Sequence, residues 1–123
     1  MKPFAADLSD IQDAARRIAA HAHRTPVATC ATLDRLAGRS LFFKCEHLQK
    51  AGAFKFRGAC NAVMRLTPEV ASRGVVTHSS GNHAGALALA AKLRGIAAHI
   101  VMPRNASPVK RRAVQEYGGR IVE

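Results

Sequence analysis

The sequence predicts an α/β protein with a three-layer, parallel-sheet βαβ architecture. Three observations carry that expectation. Short β-branched or apolar runs recur at residues 75–78, 97–102 and 120–123. Ala/Leu-rich or amphipathic stretches of helical length, residues 83–94 and 107–117, lie between them. Glycine closes each of those stretches, at Gly95 and at Gly118-Gly119. Strands separated by helix-length crossovers pair in parallel, with right-handed connections.

The elements follow in chain order. Ser9 at the N-cap and Gln12 three residues on predict a capping box, and Ile11, Ala14, Ala15, Ile18 and Ala22 recur at helical spacing. Thr25-Pro26 ends that helix, because a residue before proline avoids the helical region. A short helix over residues 31–36 stops at Gly38, a natural left-handed terminator. Residues 40–45, SLFFKC, are compact, apolar and aromatic and predict a strand. Phe56, Ala59, Cys60, Val63 and Met64 form a helical apolar stripe reaching Leu66. Thr67-Pro68-Glu69 opens a further turn of helix, with proline at its first position.

Length and composition narrow the function. A chain of 123 residues suits one modest domain, and 48% hydrophobic residues are enough for a core of Ala, Leu, Val and Ile. The formal charge of +11 invites a nucleic-acid reading. The cations are scattered, however, and aromatic residues to stack bases are nearly absent, so a solvated surface or attraction of small anions fits better. Cys30, Cys45 and Cys60 contain no Cys-x-x-Cys pair, which removes the zinc-site spacing and points to reduced thiols. No apolar run reaches membrane-spanning length and the N-terminus lacks a signal-peptide core. A cytoplasmic protein with no membrane or nucleic-acid partner is expected.

A terminal strand of a parallel sheet normally lies under covering helices. Nothing here covers residues 120–123, so the sequence is expected to be the N-terminal part of a longer protein, or to be completed by a partner. Residues 1–45 then hold the first helix and strands, and residues 46–123 the βαβ region.

Two loops carry the chemistry. Ligands of open α/β sheets bind beyond the carboxyl ends of strands, at helix N-termini. In the first loop, Ala51-Gly52-Ala53 leads into Phe54-Lys55-Phe56 where a helix begins. In the second, residues 78–85 read HSSGNHAG and lead from a strand into a helix, whose unpaired N–H groups favour an anion. A lone surface lysine and a Ser-Gly-Asn turn are each ordinary. Together on adjacent loops they form a more specific pair: a lysine able to bond a carbonyl cofactor, and a turn for a carboxylate.

The segments FFKCEHLQKAGAFKFRGACNAV, VVTHSSGNHAGALALAAKLRGIAAHIVMP and KRRAVQEYGGRIVE resemble the N-terminal part of serine/threonine dehydratases. More narrowly, they resemble the serine racemase and hydroxyaspartate dehydratase branch of the fold-type II pyridoxal-phosphate enzymes. The resemblance runs in register from Ser9 to Glu123 and implies a partial tryptophan-synthase-β-like fold. It implies that Lys55, preceded by Phe54, holds pyridoxal 5'-phosphate as a Schiff base. A free lysine, with a pKa of about 10.4, is a poor nucleophile, and burial beside Phe54 and Phe56 is expected to favour its neutral form.

The resemblance also assigns Asn82 to the cofactor's ring hydroxyl and Ser79, Ser80, Gly81, Asn82 and His83 to the substrate carboxylate. Ser80 matches the serine that racemase-like members use as acid/base on the ring face opposite the lysine. The implied reaction turns a hydroxy amino acid (serine, threonine or hydroxyaspartate) into a 2-oxo acid and ammonia, with serine racemisation beside it. Lys50 and Tyr117 match contacts to a nucleotide effector. A homodimer and a divalent cation are implied for the full-length protein, with no metal ligand in this chain.

The sequence departs from the pattern in two places. Gly85 stands where the family commonly has glutamine, a change expected to loosen the helix start. The run of four glycines that grips the cofactor phosphate is absent, so the 123 residues alone are expected to show little activity. Two alternatives remain. Cysteine synthases resemble this pattern less, since they carry Lys-Asp-Arg and Ser-Gly-Asn-Thr-Gly. A non-catalytic anion- or amino-acid-binding domain would bind ligand without an imine absorption band.

Overall fold

The computed structural model describes residues 5–123. Helix α1 (Leu8–Ile18) opens on a reciprocal cap. The Asp7 carboxylate accepts from the Asp10 N–H, and the Asp10 carboxylate accepts from the Asp7 N–H, both at 3.0 Å. This corrects the expected Ser9–Gln12 box. Two carboxylates complement the positive helix end better than a hydroxyl and an amide, and Ser9 Oγ donates to Asp7 Oδ1 instead, at 2.6 Å. The helix also ends earlier than Thr25-Pro26 suggests. The His23 N–H is claimed by the side chain of Gln49 at 2.9 Å rather than by a helical carbonyl.

A two-residue ribbon follows, β1 (Val27–Ala28) antiparallel to β2 (Phe43–Lys44). The strand expected over residues 40–45 therefore shrinks to its centre, and Phe42 and Phe43 are exposed. Between the two strands, α2 (Ala31–Ala37) ends on left-handed Gly38, φ 66°. Two 3₁₀ turns, Glu46–Leu48 and Lys50–Gly52, lead to α3 (Lys55–Arg65). The short α4 (Pro68–Ala71) is capped by Thr67, whose side chain accepts from the Val70 N–H.

The remainder is a parallel βαβαβ unit: β3 (Val75–His78), α5 (Asn82–Arg94), β4 (Ala98–Val101), α6 (Pro108–Glu116) and β5 (Arg120–Val122). The strand order is β3-β4-β5, with Val75 opposite Ala98 and Ile100 opposite Ile121. Sequential strands joined by helices give this architecture directly.

Helix α5 is buried on most of its circumference through Ala84, Gly85, Ala86, Leu87, Ala88, Ala90 and Ala91. Small side chains let α3, α6 and the sheet all approach it. Phe56, Cys60 and Val63 of α3, Ile100 of β4, Met102 and Val114 of α6 fill the core between them. Burying each of the larger ones contributes roughly 1.5–3 kcal/mol. Gly119 is required where β5 begins, since a Cβ there would lie 2.8 Å from Val114 Cγ1 and 3.0 Å from Ala88 Cβ. The opposite face of the sheet presents Val76, Val101 and Val122, which are exposed. Among the described residues no helix is long and apolar enough to cross a membrane.

Candidate functional site

The loop before α3 reverses the chain with two consecutive left-handed residues, Ala51 (φ 57°) and Gly52 (φ 67°). The Gly52 N–H closes that turn on the Gln49 carbonyl at 2.8 Å. Ala53 returns to extended backbone, and α3 starts at Lys55 with no side chain capping its N-terminus. Lys55 occupies the first helical position and is exposed, with Nζ 5.1 Å from the centroid of the Phe54 ring. The expected burial between two phenylalanines is corrected. Phe56 is in the core, whereas Phe54 is 59% exposed and leaves Lys55 exposed beside it. Lys55 Nζ makes no hydrogen bond or ion pair among the described residues.

The second loop leaves β3 and enters α5. The Ser79 N–H bonds the Val101 carbonyl at 3.0 Å, and Ser79 Oγ accepts from the Gly81 N–H at 3.2 Å, closing the turn. Gly81 is the N-cap and has no side chain to satisfy the helix's opening N–H groups. A helix start of that kind attracts an anion through its free donors and its dipole. Ser80 and Asn82 are exposed there, and His83 is half-buried.

The two loops meet. A small cavity of about 40 Å³ is lined by Ala51 from the lysine loop, by Gly81, Asn82 and Gly85 from the second, and by Lys110, Ala113 and Tyr117 of the α6 region. Asn82 Oδ1 accepts from Lys110 Nζ, so α6 holds the first residue of α5. His83 shares a larger cavity, about 220 Å³, with Gly58 and Ala62 of α3. Tyr117 lies against Gly85, where a Cβ would stand 3.6 Å from its ring, so glycine here makes room beside an aromatic face. Lys50 turns the other way, with Nζ 5.9 Å from the centroid of the buried Phe56 ring. Tyr117 thus lines the cavity, and Lys50 does not.

Beneath the lysine loop lies a polar cluster that the sequence reading missed. Arg57 donates from Nε to Glu46 Oε2 at 2.8 Å and from Nη2 to Glu46 Oε1 at 2.7 Å. Thr25 Oγ1 donates to the same carboxylate at 2.5 Å. The Arg57 hydrogen bonds, with Thr25 assisting against some desolvation, hold the Glu46 carboxyl down at a pKa of about 2. Gln49 Oε1 accepts from the N–H of His23 at 2.9 Å and of Lys50 at 3.0 Å, while its Nε2 donates to the His23 carbonyl at 2.8 Å. The partners are far apart in the chain, so no periodicity marks them. A proline after Thr25 and a lone Gln were the only signals present.

Among the described residues, no group of three or more His, Cys, Asp or Glu is placed to hold a metal ion. A parallel α/β unit with a free lysine and an anion-attracting helix start on adjoining loops defines a scaffold for small-molecule chemistry. Residues 18–123 match the family model described as pyridoxal-phosphate dependent enzyme, and the chain belongs to that family.

The chain is 59% identical over 119 residues to a serine racemase of Arabidopsis thaliana, covering 97% of this chain and 36% of that protein. It is 53% identical over 114 residues to a β-hydroxyaspartate dehydratase of Paracoccus denitrificans, covering 93% of this chain and 36% of that protein. The structure of maize serine racemase superposes with a TM-score of 0.95 at 59% identity, over 97% of this chain and 36% of that one. The chain therefore spans about a third of the length of the relatives it matches.

The donor set fits the aldehyde end of pyridoxal phosphate. Lys55 Nζ meets only the Phe54 ring among the described residues and carries no hydrogen bond or ion pair, and the open N–H groups of α5 suit an anion. Nothing among the described residues is assigned to the phosphate group.

Proposed function

We propose that this chain provides the lysine and the carboxylate-binding turn of a pyridoxal-phosphate-dependent enzyme acting on serine or a related β-hydroxy amino acid. The reactions are racemisation at the α-carbon and β-elimination to a 2-oxo acid and ammonia. The observation that carries this reading is the meeting of the two loops around one cavity, Ala51 on one side and Gly81 with Asn82 on the other.

The bound cofactor supplies an electron sink for the α-carbon. Each remaining task falls to a residue of the chain. Lys55 would hold the cofactor through Nζ, and its amine is the group that would take the α-proton. Ser80 stands on the second loop as the group that delivers or removes a proton at the opposite face. Ser79, Gly81 and His83 hold the substrate carboxylate at the α5 start, and Asn82 orients the ring. Phe54 packs beside the lysine. Tyr117 on the cavity wall supports a nucleotide effector there, and Lys50, which points toward Phe56 in this structure, would have to turn to join it. A homodimer, a divalent cation and a cytoplasmic location belong to this reading as well.

The experiment uses a chimaera in which residues 1–123 replace the matching third of the Arabidopsis serine racemase. Borohydride reduction with pyridoxal phosphate and peptide mapping should place the label on Lys55, and L-serine should give D-serine and pyruvate. Label on another lysine, or full turnover by Lys55→Ala, would end this assignment.

A further inference from the structure

Helix α3 starts without a capping side chain, two residues after the left-handed pair Ala51-Gly52, so its own local sequence holds its first turn weakly. What holds that turn is Arg57, gripped by the Glu46 carboxylate through Nε and Nη2 and by the His23 carbonyl at 3.0 Å. Two residues along an α-helix lie about 200° apart. Arg57 is therefore pinned on the inner side of the turn while Lys55 stands on the exposed side.

The two polar residues that are buried among those described, Thr25 at 4% exposure and Gln49 at 3%, both belong to this arrangement. Buried polar groups are costly unless bonded. Here their bonds go to the Glu46 carboxylate and to the backbone at His23 and Lys50, the supports of the lysine loop. Lys44 Nζ closes the same region by donating to the Thr25 carbonyl at 2.6 Å.

We propose that Glu46, acting through Arg57 with Thr25 and Gln49 in support, is a positioning residue that sets the aim of Lys55. This inference rests on the reading of Lys55 given under Proposed function. Glu46 does not touch substrate or cofactor in this scheme. It fixes the rotation and the start of the turn that presents the amine, and a small misplacement of a reacting group lowers turnover steeply.

The test compares Glu46→Gln and Arg57→Lys with wild type in the chimaera. Glu46→Gln is expected to lower kcat about tenfold with KM within about twofold, because the carboxylate-binding turn sits on a different helix. The visible absorption of lysine-bound cofactor should fall in parallel, and hydrogen exchange at residues 55–58 should speed up at least about tenfold while α5 is unchanged. Arg57→Lys, which keeps charge without the two-pronged grip, should fall between the two. Arg112→Gln, which breaks an exposed pair with Glu116, serves as the control that leaves kcat unchanged.

Wild-type kcat and absorption in Glu46→Gln would overturn the proposal, as would a rise in KM alone. Should Glu46→Gln fail to fold, Thr25→Val removes one donor to the carboxylate without changing shape and must lower kcat in the same sense; unchanged kcat there overturns the proposal equally. A wild-type chimaera labelled elsewhere than Lys55 defeats the functional reading itself, which separates the two failures.

Discussion

Lys110 on α6 donates to the side-chain oxygen of Asn82 at the first residue of α5, joining two helix starts 28 residues apart in the chain. A charged donor fixes which way the Asn82 amide turns, leaving its NH₂ directed away from α6. The pair is exposed, so its effect is orientation more than stability.

Lys110→Met is accordingly expected to leave the unfolding midpoint unchanged and to weaken pyridoxal phosphate binding in the chimaera by up to about tenfold, the loss of one charge-assisted bond. Equilibrium titration of the cofactor reads this directly. An unchanged dissociation constant would show that Lys110 merely decorates the surface.

Acid stability follows from Glu46. Its carboxyl is depressed from 4.5 to about 2 by Arg57. A depressed carboxylate contributes stability that is present above its unfolded value and is lost as pH falls through the folded one. Between pH 4.5 and 2 the chain should lose on the order of 2 kcal/mol from this group, and Glu46→Gln should lack that component. Urea unfolding at several pH values measures it, and parallel curves for the two proteins would refute the linkage.

The left-handed pair before Lys55 is asymmetric in its tolerance. A side chain at Gly52 meets nothing within 4 Å, so Gly52→Ala brings only backbone strain and should destabilise by about 1 kcal/mol. Ala51 already bears that strain at φ 57°. Ala51→Gly should change stability by less than about 0.5 kcal/mol, since relief of strain offsets the added freedom of the unfolded chain. Stabilisation by Gly52→Ala would contradict the turn described.

Thiol reactivity should divide by burial. Burial pushes the Cys60 thiol up, against a smaller opposing influence of Lys50, whereas Cys30 and Cys45 are partly exposed. Iodoacetamide at neutral pH should modify Cys60 at least about tenfold more slowly than the other two, and equally fast in denaturant. Equal rates in the native chain would mean that α3 does not pack on α5 as found.

Much of this molecule was legible along the chain because much of it is local. Gly38 and Gly95 end helices at left-handed positions, Thr67 caps a proline-started turn, and the strand–helix alternation after residue 75 leads to a parallel sheet. The motif around Lys55 and the HSSGNHAG turn likewise mark the family within the sequence itself. Their physics lies in neighbours a few residues apart, where turn chemistry and helical spacing act. Only tertiary structure decided the rest. Gln49 drew His23 out of the first helix, Lys55 stood exposed, and Glu46 found Arg57. Those outcomes depend on groups brought together by packing, and a carboxylate carries no mark of which distant cation it will meet.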